Sequence, residues 1–216
     1  MKRQNGTETS AFGTNGRINH DSSKFYNSKL YTELGGKKVL DKNENYILAL
    51  DPSLTAFGWV VMCQQDIIAS GVIKTSSSSK KQNIRKGDDR CRRITEINNV
   101  LLNIINQYNI KFIVSEQPHG SQSAVSAVMI GIVLGIVQTI SDVKQIPLEW
   151  YLEGECKRNL LGKNSAAKEE VIQASRRLFR YRLTGIKYVD EAVCDALAVY
   201  YYAMNYSSIL KMLRHQ

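Results

Sequence analysis

The stretch Tyr46-Ile-Leu-Ala-Leu-Asp-Pro-Ser-Leu-Thr-Ala-Phe-Gly-Trp-Val-Val-Met62 decides the fold, because it consists of two apolar runs with a single carboxylate between them. Pro52 interrupts the first run, and Gly58 lets the backbone turn closely before the second. The pattern therefore predicts two neighbouring antiparallel strands. Asp51 stands at the exit of the first strand, where its scaffold would hold it open to solvent. That position suits a metal ligand, although an aspartate that only caps its own turn fits the pattern too.

The composition is typical of one globular domain with a surplus of positive charge. The chain has 216 residues, enough for one full-sized core, and 43% of them are hydrophobic. A formal net charge of +9 favours a polyanionic partner, most often the phosphate backbone of nucleic acid and otherwise an anionic membrane surface. We expect the domain to span residues 45–216. Residues 1–44 are polar and poor in apolar side chains, which predicts a disordered basic tail.

The cysteines and the N-terminus indicate a protein of the cytoplasm. The four cysteines have no close pairing, so the sequence signals neither a zinc site nor a disulfide framework. The chain begins Met-Lys-Arg and lacks the apolar core of a secretory signal. We therefore expect a cytoplasmic, DNA-associated protein that is not secreted.

A basic loop follows the first strands. Residues 66–73 form a third apolar run, which completes an antiparallel meander. Residues 74–86 then combine a serine run with cationic side chains, and we interpret them as a flexible loop that is either simply solvated or in contact with phosphate. The loop has five cationic side chains, the first of which is Lys74. The other four, Lys80, Lys81, Arg85 and Lys86, are the candidate DNA contacts.

A second acid follows the next helix and strand. Apolar residues recur at helical period over about 88–108, and the run at 111–116 ends in Glu116. The strand-helix-strand order predicts a crossover that places this strand parallel to the first. Asp51 and Glu116 would then lie at the same edge of the sheet.

An uncharged segment covers residues 120–141. Its apolar part is only just long enough to span a membrane and is interrupted by polar side chains, so we expect a helix that is buried on nearly all sides. Gly131 and Gly135 stand four residues apart and would let another helix approach closely, within the fold or across a dimer interface.

The rest of the chain completes an α/β layout. The pattern predicts a strand over 145–151, a helix from about Ser165 to Arg180 and a last helix that starts near Asp190 and runs past Tyr200. Together these elements form a mixed five-stranded sheet with helices on both faces.

The last helix carries further acids. Glu191 and Asp195 are four residues apart and share a helical face, where like charges repel unless a cation lies between them. Asp190 points elsewhere and suits the helix N-cap. Glu191 and Asp195, together with Asp51 and Glu116, would form an all-oxygen site for Mg²⁺ or Mn²⁺. Two such ions can activate water and stabilise the leaving oxygen of a phosphodiester.

The chain resembles the RuvC family of Holliday-junction resolvases, whose fold is ribonuclease H-like, over roughly residues 46–205. Four pieces in order carry the resemblance: Asp51-Pro52; Glu116-Gln117 with Ser123-Ala124 and Gly131 to Gly135; Lys157 to Lys168 with Gly162, Ser165 and Ala166 between; and Asp195-Ala196-Leu197-Ala198.

The resemblance implies a homodimeric, magnesium-dependent endonuclease that resolves four-way DNA junctions by paired nicking in recombination and repair, without a membrane partner. It implies metal ligation by Asp51, Glu116 and Asp195, and it places Lys157 and Lys168 near the scissile phosphate. Three features depart from the family pattern. The fourth carboxylate stands one position early, at Glu191. The first turn lacks its usual glycine, and His119 replaces an aromatic residue that stacks on bases, where it would stack, contact phosphate or do neither.

Three other functions fit parts of the pattern. A related ribonuclease H-like nuclease for flaps, forks or other branched DNA would share every acid. An ATP-binding module would share the turn after Asp51 but needs two such domains. A DNA-binding protein without catalysis would have no use for the acids.

Overall fold

The computed structural model describes residues 31–33, 44–163 and 166–213, and these form a mixed sheet between two helical layers. The strand order is β1-β4-β3-β2-β5-β6. Strands β2, β3 and β4 form the predicted antiparallel meander, and β5 and β6 run parallel to β2. The strands are β1 (Tyr31–Glu33), β2 (Tyr46–Asp51), β3 (Ala56–Cys63), β4 (Asp66–Lys74), β5 (Ile110–Gln117) and β6 (Leu148–Leu152).

Strands β2 to β6 are the five predicted strands, and β1 is a sixth. It pairs antiparallel with β4 at the edge of the sheet. It lies in the segment predicted to be a disordered tail, so that prediction is wrong for Tyr31–Glu33. Apart from these residues and Glu44, the predicted tail lies outside the described residues, as does Ser165.

Helices cover both faces of the sheet, as predicted. The side chains of β2 alternate between two cores, because successive residues of a strand point to opposite faces. Ile47 and Ala49 pack with α3, α4 and α5, while Leu48 and Leu50 pack with α1 and α2. The helices are α1 (Lys86–Tyr108), α2 (Ala124–Lys144), α3 (Glu153–Leu161), α4 (Lys168–Phe179), α5 (Lys187–Tyr206) and α6 (Ser208–Leu213), with a 3₁₀ turn at Lys80–Gln82.

Helix α2 is less buried than we predicted. Only Val133, Val137, Ile140 and Ser141 are buried, and Gly131 and Gly135 face outward with open space around them. The helix is long and apolar enough to cross a membrane by length and composition, a property that buried helices of soluble proteins share. The sheet thus uses one side of α2 and leaves the other side uncovered in the monomer.

Candidate active site

The carboxyl ends of three parallel strands bring acids to one edge of the sheet. Asp51 is the last residue of β2, and Leu50 is in register with Ser115 of β5. Asp51 and Glu116 therefore lie side by side on neighbouring strands, as predicted. Glu116 is in turn in register with Tyr151 of β6.

Helix α5 brings the third acid to this edge. It crosses β3 so closely that a Cβ atom on Gly58 would stand 2.3 Å from the Ala192 carbonyl oxygen. Gly58 therefore lies inside a strand, paired with Asp51, and its lack of a side chain admits α5. This approach places Asp195, three residues after Ala192, within electrostatic reach of Asp51 and Glu116.

Asp190 does not have the predicted N-cap role. Helix α5 starts three residues earlier, at Lys187, so Asp190 lies within its first turn and is buried. Its carboxylate accepts hydrogen bonds from the Tyr181 hydroxyl at 2.9 Å, the Thr184 backbone N–H at 2.9 Å and the Gly185 N–H at 3.2 Å. These bonds fix the segment before α5, and they leave Glu191 as the acid that precedes Asp195 at the site.

Burial and mutual repulsion raise the pKa values of the three central carboxyls. The pKa of Glu116, which is only 7% exposed, rises to about 8 through burial and the nearby charges of Asp195 and Glu153. Burial and the charges of Glu116 and Asp195 raise the pKa of Asp51 well above its usual range. Burial also raises the pKa of Asp195, although Lys157 and Lys168 oppose the shift. Carboxylates with such strong repulsion favour a cation between them.

Two lysines face the carboxylates from α3 and α4. Burial acts to lower the pKa of Lys157, but its hydrogen bond to Glu153 and the charges of Asp195 and Glu116 raise it. The Lys168 ammonium donates to Glu191 Oε2 at 2.8 Å, which raises the pKa of Lys168. Both lysines are therefore charged and are held beside the acids.

Glu153 is a site residue that the sequence analysis missed. It begins α3 directly after β6, and its charge raises the pKa of Asp51, Glu116 and Asp195. It also forms an ion pair with Lys157. The signal was present, because β6 is parallel to β2 and β5 and its carboxyl end meets the same edge of the sheet.

The donor set fits a hard divalent cation. All the candidate ligands are carboxylate oxygens, the type that Mg²⁺ and Mn²⁺ prefer. In the part of the chain that the structure describes, no three Asp, Glu, His or Cys side chains are close enough together to hold a metal ion as they stand. The charges of Asp51, Glu116 and Asp195 nevertheless act on one another, so small side-chain movements toward a cation would relieve their repulsion.

A buried arginine ties the loop after β4 to the turn after Asp51. Arg93 of α1 is 7% exposed and donates to the Leu54 carbonyl at 3.2 Å and to the hydroxyls of Thr55 at 3.1 Å and Thr75 at 2.8 Å. The nearby serines bond to α1 as well, for example Ser78 N–H to Asp89 at 3.1 Å. The start of this loop, predicted to be flexible, is thus tied to a helix.

The predicted DNA contacts lie on the loop after β5, on the basic loop and at the start of α1. His119 follows β5 and lies beside Gly154 of α3, the residue after Glu153. Lys81 and Lys86 are exposed on the basic loop and the first turn of α1. Arg85 forms an ion pair with Asp88 at 2.7 Å. The side chain of Lys80 is not among those that the structure describes.

Comparisons with known proteins agree with this geometry. The family model described as crossover junction endodeoxyribonuclease RuvC matches residues 47–202. Enzymes of that name from Ehrlichia ruminantium (strain Gardel) and Rickettsia bellii (strain OSU 85-389) are 26% and 25% identical, over 72% of this chain and 96% and 94% of their own.

Solved structures show the same fold. The RuvC of T. thermophilus in complex with Holliday junction substrate has a TM-score of 0.58 at 22% identity, over 74% of this chain and 94% of its own. The yeast mitochondrial Holliday junction resolvase Ydc2 has a TM-score of 0.53 at 12% identity, over 83% of this chain and 86% of its own. The family match covers more than two thirds of the sequence and contains every carboxylate of the site, and on this basis the chain belongs to the RuvC family of crossover junction endodeoxyribonucleases.

Proposed function

We propose that this chain resolves four-way DNA junctions in recombination and repair, by metal-dependent hydrolysis of two opposed strands. The observation that carries the proposal is the group of three carboxylates, Asp51, Glu116 and Asp195, at one sheet edge with two lysines beside them. Enzymes of this family depend on a divalent metal. The net charge of +9 suits a DNA substrate, and we place the protein with the DNA of the cytoplasm.

We propose that the metal is Mg²⁺, replaceable by Mn²⁺, with two ions at each site. Asp51, Glu116 and Asp195 would hold the metal, and Glu191 would add a fourth carboxylate from the preceding turn of α5. When bound, the ions supply an activated water and compensate the charge of the leaving oxygen.

The lysines serve the phosphate rather than the metal. Lys157 and Lys168 reach the carboxylates from separate helices, and in the free protein their ammonium groups are held by Glu153 and Glu191. A phosphate at the site would give both groups a second anionic partner. Because charge builds up on the phosphoryl oxygens during cleavage, preorganised ammonium groups stabilise the transition state more than the ground state.

Paired nicking requires two sites, and we propose that the protein is a homodimer. The uncovered face of α2 supplies the contact surface, since its exposed apolar residues include Val125 at 56% and Val128 at 57%. A twofold axis matches the two symmetry-related strands of a four-way junction. His119, Lys81, Arg85 and Lys86 would contact the DNA around the site, together with Lys80.

The decisive experiment is a substrate panel. End-labelled four-way junction, fork, flap and linear duplex are incubated with the protein, with and without Mg²⁺, and Asp51→Asn serves as the inactive control. We expect paired cuts in the junction that need the metal, and little cutting of linear duplex. Faster cutting of flaps or forks would favour the alternative nuclease class, and binding without any cutting would favour a DNA-binding protein without catalysis.

A further inference from the structure

The end of α4 and the segment that follows it form a cationic surface outside the active site. Residues 171–189 contain four arginines and one lysine but no acid. Arg176 and Arg177 lie in the last turn of α4, Arg180 is its C-cap and Arg182 follows. All four residues are exposed, and we refer to them as the arginine surface.

The arginine surface takes no part in the ion pairing of the fold. Across residues 44–163 and 166–213, none of its members lies within 4.0 Å of a carboxylate oxygen, whereas Arg85 and Arg92 are paired with acids at 2.7 Å. Arg176 is in contact with a neutral partner, Gln173 Oε1, at 3.4 Å. Guanidinium groups present a planar fork of donors that matches phosphate oxygens. Four of them without carboxylate partners are suited to an external anion.

The backbone at Arg180 offers a variant that separates stability from binding. This residue has φ 54° and ψ 31°, in the left-handed region where helix C-caps are usually glycine. A side chain with a Cβ atom is strained there, and glycine would be more stable. The change Arg180→Gly would therefore remove the guanidinium and relieve this strain together.

The surface is connected to the active site by the geometry of α4. The helix begins at Lys168, beside the catalytic carboxylates, and its end lies about 17 Å away at 1.5 Å per residue. Helix α5 runs in the same direction, since Lys168 contacts Glu191 and Phe179 packs on Tyr201. The segment that carries Arg182 therefore returns toward the active site.

The arginines line an open groove. It has a volume of about 460 Å³ and is lined by Gln173, Arg176, Arg177, Arg180 and Tyr181. Duplex DNA advances about 34 Å per turn, so a duplex arm that runs along α4 would pass the arginine surface about half a turn from the scissile phosphate. We infer that the arginine surface binds the phosphate backbone of a duplex arm of the junction, which extends the proposed function and rests on it.

The test compares two double variants that remove the same charge. The variant Arg177→Gln/Arg180→Gln alters the arginine surface. The variant Lys111→Gln/Lys144→Gln alters two exposed lysines beside the start of β5, at the edge of the sheet opposite the carboxylates. Junction affinity is measured over a series of salt concentrations without divalent metal. We expect the arginine variant to bind about tenfold more weakly and to lower the slope of log K against log salt by about 1.8. The lysine variant should change affinity less than about twofold.

Arm length provides the second readout. Junctions with arms of about 15 base pairs cover the arginine surface, whereas loop-closed arms of about 4 base pairs do not reach it. The defect of the arginine variant should appear only with the long arms. Arg180→Gly separates binding from stability, because it should raise the melting temperature by about 2–4 °C and still weaken long-arm binding.

The outcomes distinguish this inference from the function on which it rests. If the wild-type protein cuts junctions but the arginine variant behaves like the lysine variant, or loses affinity equally on short and long arms, the inference is wrong. Such a result would assign the surface to another partner, for instance an acidic protein. A wild-type protein that neither binds nor cuts four-way junctions would overturn the proposed function and this inference together.

Discussion

Glu116 is a buried carboxyl beside other acids, and its charged form destabilises the metal-free fold. Its pKa rises from the ordinary 4.5 to about 8, because it is buried beside other acids. Between these values the folded state binds the proton more tightly than the unfolded state does. The stabilisation from this proton is complete below about pH 4.5 and is lost as the pH rises through about 8. The metal-free protein should therefore lose stability across this window.

The variant Glu116→Gln should remove the share of this pH dependence that Glu116 contributes, while Asp51 and Asp195 keep theirs. Without divalent metal at pH 8, we expect it to melt at least about 2–4 °C above the wild type, and the difference should vanish near pH 4.5. Thermal denaturation, followed by circular dichroism in a buffer that contains a chelator, measures the melting temperatures of the variant and the wild type at both pH values. Glu169→Gln, an exposed residue of α4, is the control. A constant difference at all pH values would contradict the assignment to Glu116.

The three central carboxylates should be essential for cleavage but not for binding. We expect Asp51→Asn, Glu116→Gln and Asp195→Asn each to lower the cleavage rate by about a thousandfold or more, because each removes a proposed metal ligand. Junction affinity should persist, since cationic side chains carry most of it. Gel-shift and single-turnover cleavage assays separate the two effects. Near wild-type cleavage by any of the three variants would refute the proposed site.

Lys157→Ala and Lys168→Ala should lower the single-turnover cleavage rate by about a hundredfold while changing junction affinity only slightly. In the proposed mechanism, each ammonium stabilises charge that develops in the transition state. Lys163→Ala is a matched control, because Lys163 lies between them in sequence and pairs at 2.6 Å with Glu170, away from the carboxylates. Loss of affinity alone, equal to that of the control, would show that the two lysines are ordinary DNA contacts.

Single residues show where prediction from sequence reached its limit. Asp51, Glu116 and Asp195 were predictable because each stands at the end of a strand or on one helical face. Asp190 was not, because its role depends on hydrogen bonds from Tyr181, Thr184 and Gly185, whose positions only the tertiary fold defines.

At the scale of elements, the crossing of α5 over β3 depends on a glycine. We expect Gly58→Ala to destabilise the fold by about 2–4 kcal/mol, because its Cβ atom would meet the Ala192 carbonyl oxygen at 2.3 Å and carbon at 2.7 Å. It should also slow cleavage by displacing Asp195. Gly87→Ala is the control, since its Cβ atom would enter open space in the first turn of α1. Urea denaturation measures the stability of the two variants, and equal stabilities would rule out a tight crossing.

The elements themselves were largely predictable, since strong apolar periodicity marks β2 to β5, α1, α2 and α4. Boundaries were less so. The strand β6 starts at Leu148 rather than Gln145, because Gln145 takes the left-handed conformation that ends α2. The strand β1 has no apolar alternation and exists by pairing with β4, which is a contact between distant parts of the chain.

At the scale of the whole molecule, the sheet divides the protein into a catalytic layer and an outer layer. Helices α3, α4 and α5 cover the face from which the lysines and Asp195 reach the site, and α1 and α2 cover the other face. The uncovered side of α2 belongs to the outer layer. A partner bound there would leave the catalytic layer free for DNA.

We therefore expect the wild-type protein to be a dimer through α2, with a mass about twice the 24.4 kDa of one chain. Gly131 and Gly135 are exposed, and a Cβ atom on either would meet nothing within 4 Å in the monomer. Gly131→Leu should consequently fold normally but weaken the dimer, because its side chain would occupy the space that the partner helix needs.

Light scattering at micromolar concentration measures the mass, and Gly87→Leu controls for a large side chain on another exposed helical glycine. A wild-type mass of 24.4 kDa without DNA would contradict a stable dimer. A Gly131→Leu protein that remains fully dimeric would place the interface on a different surface.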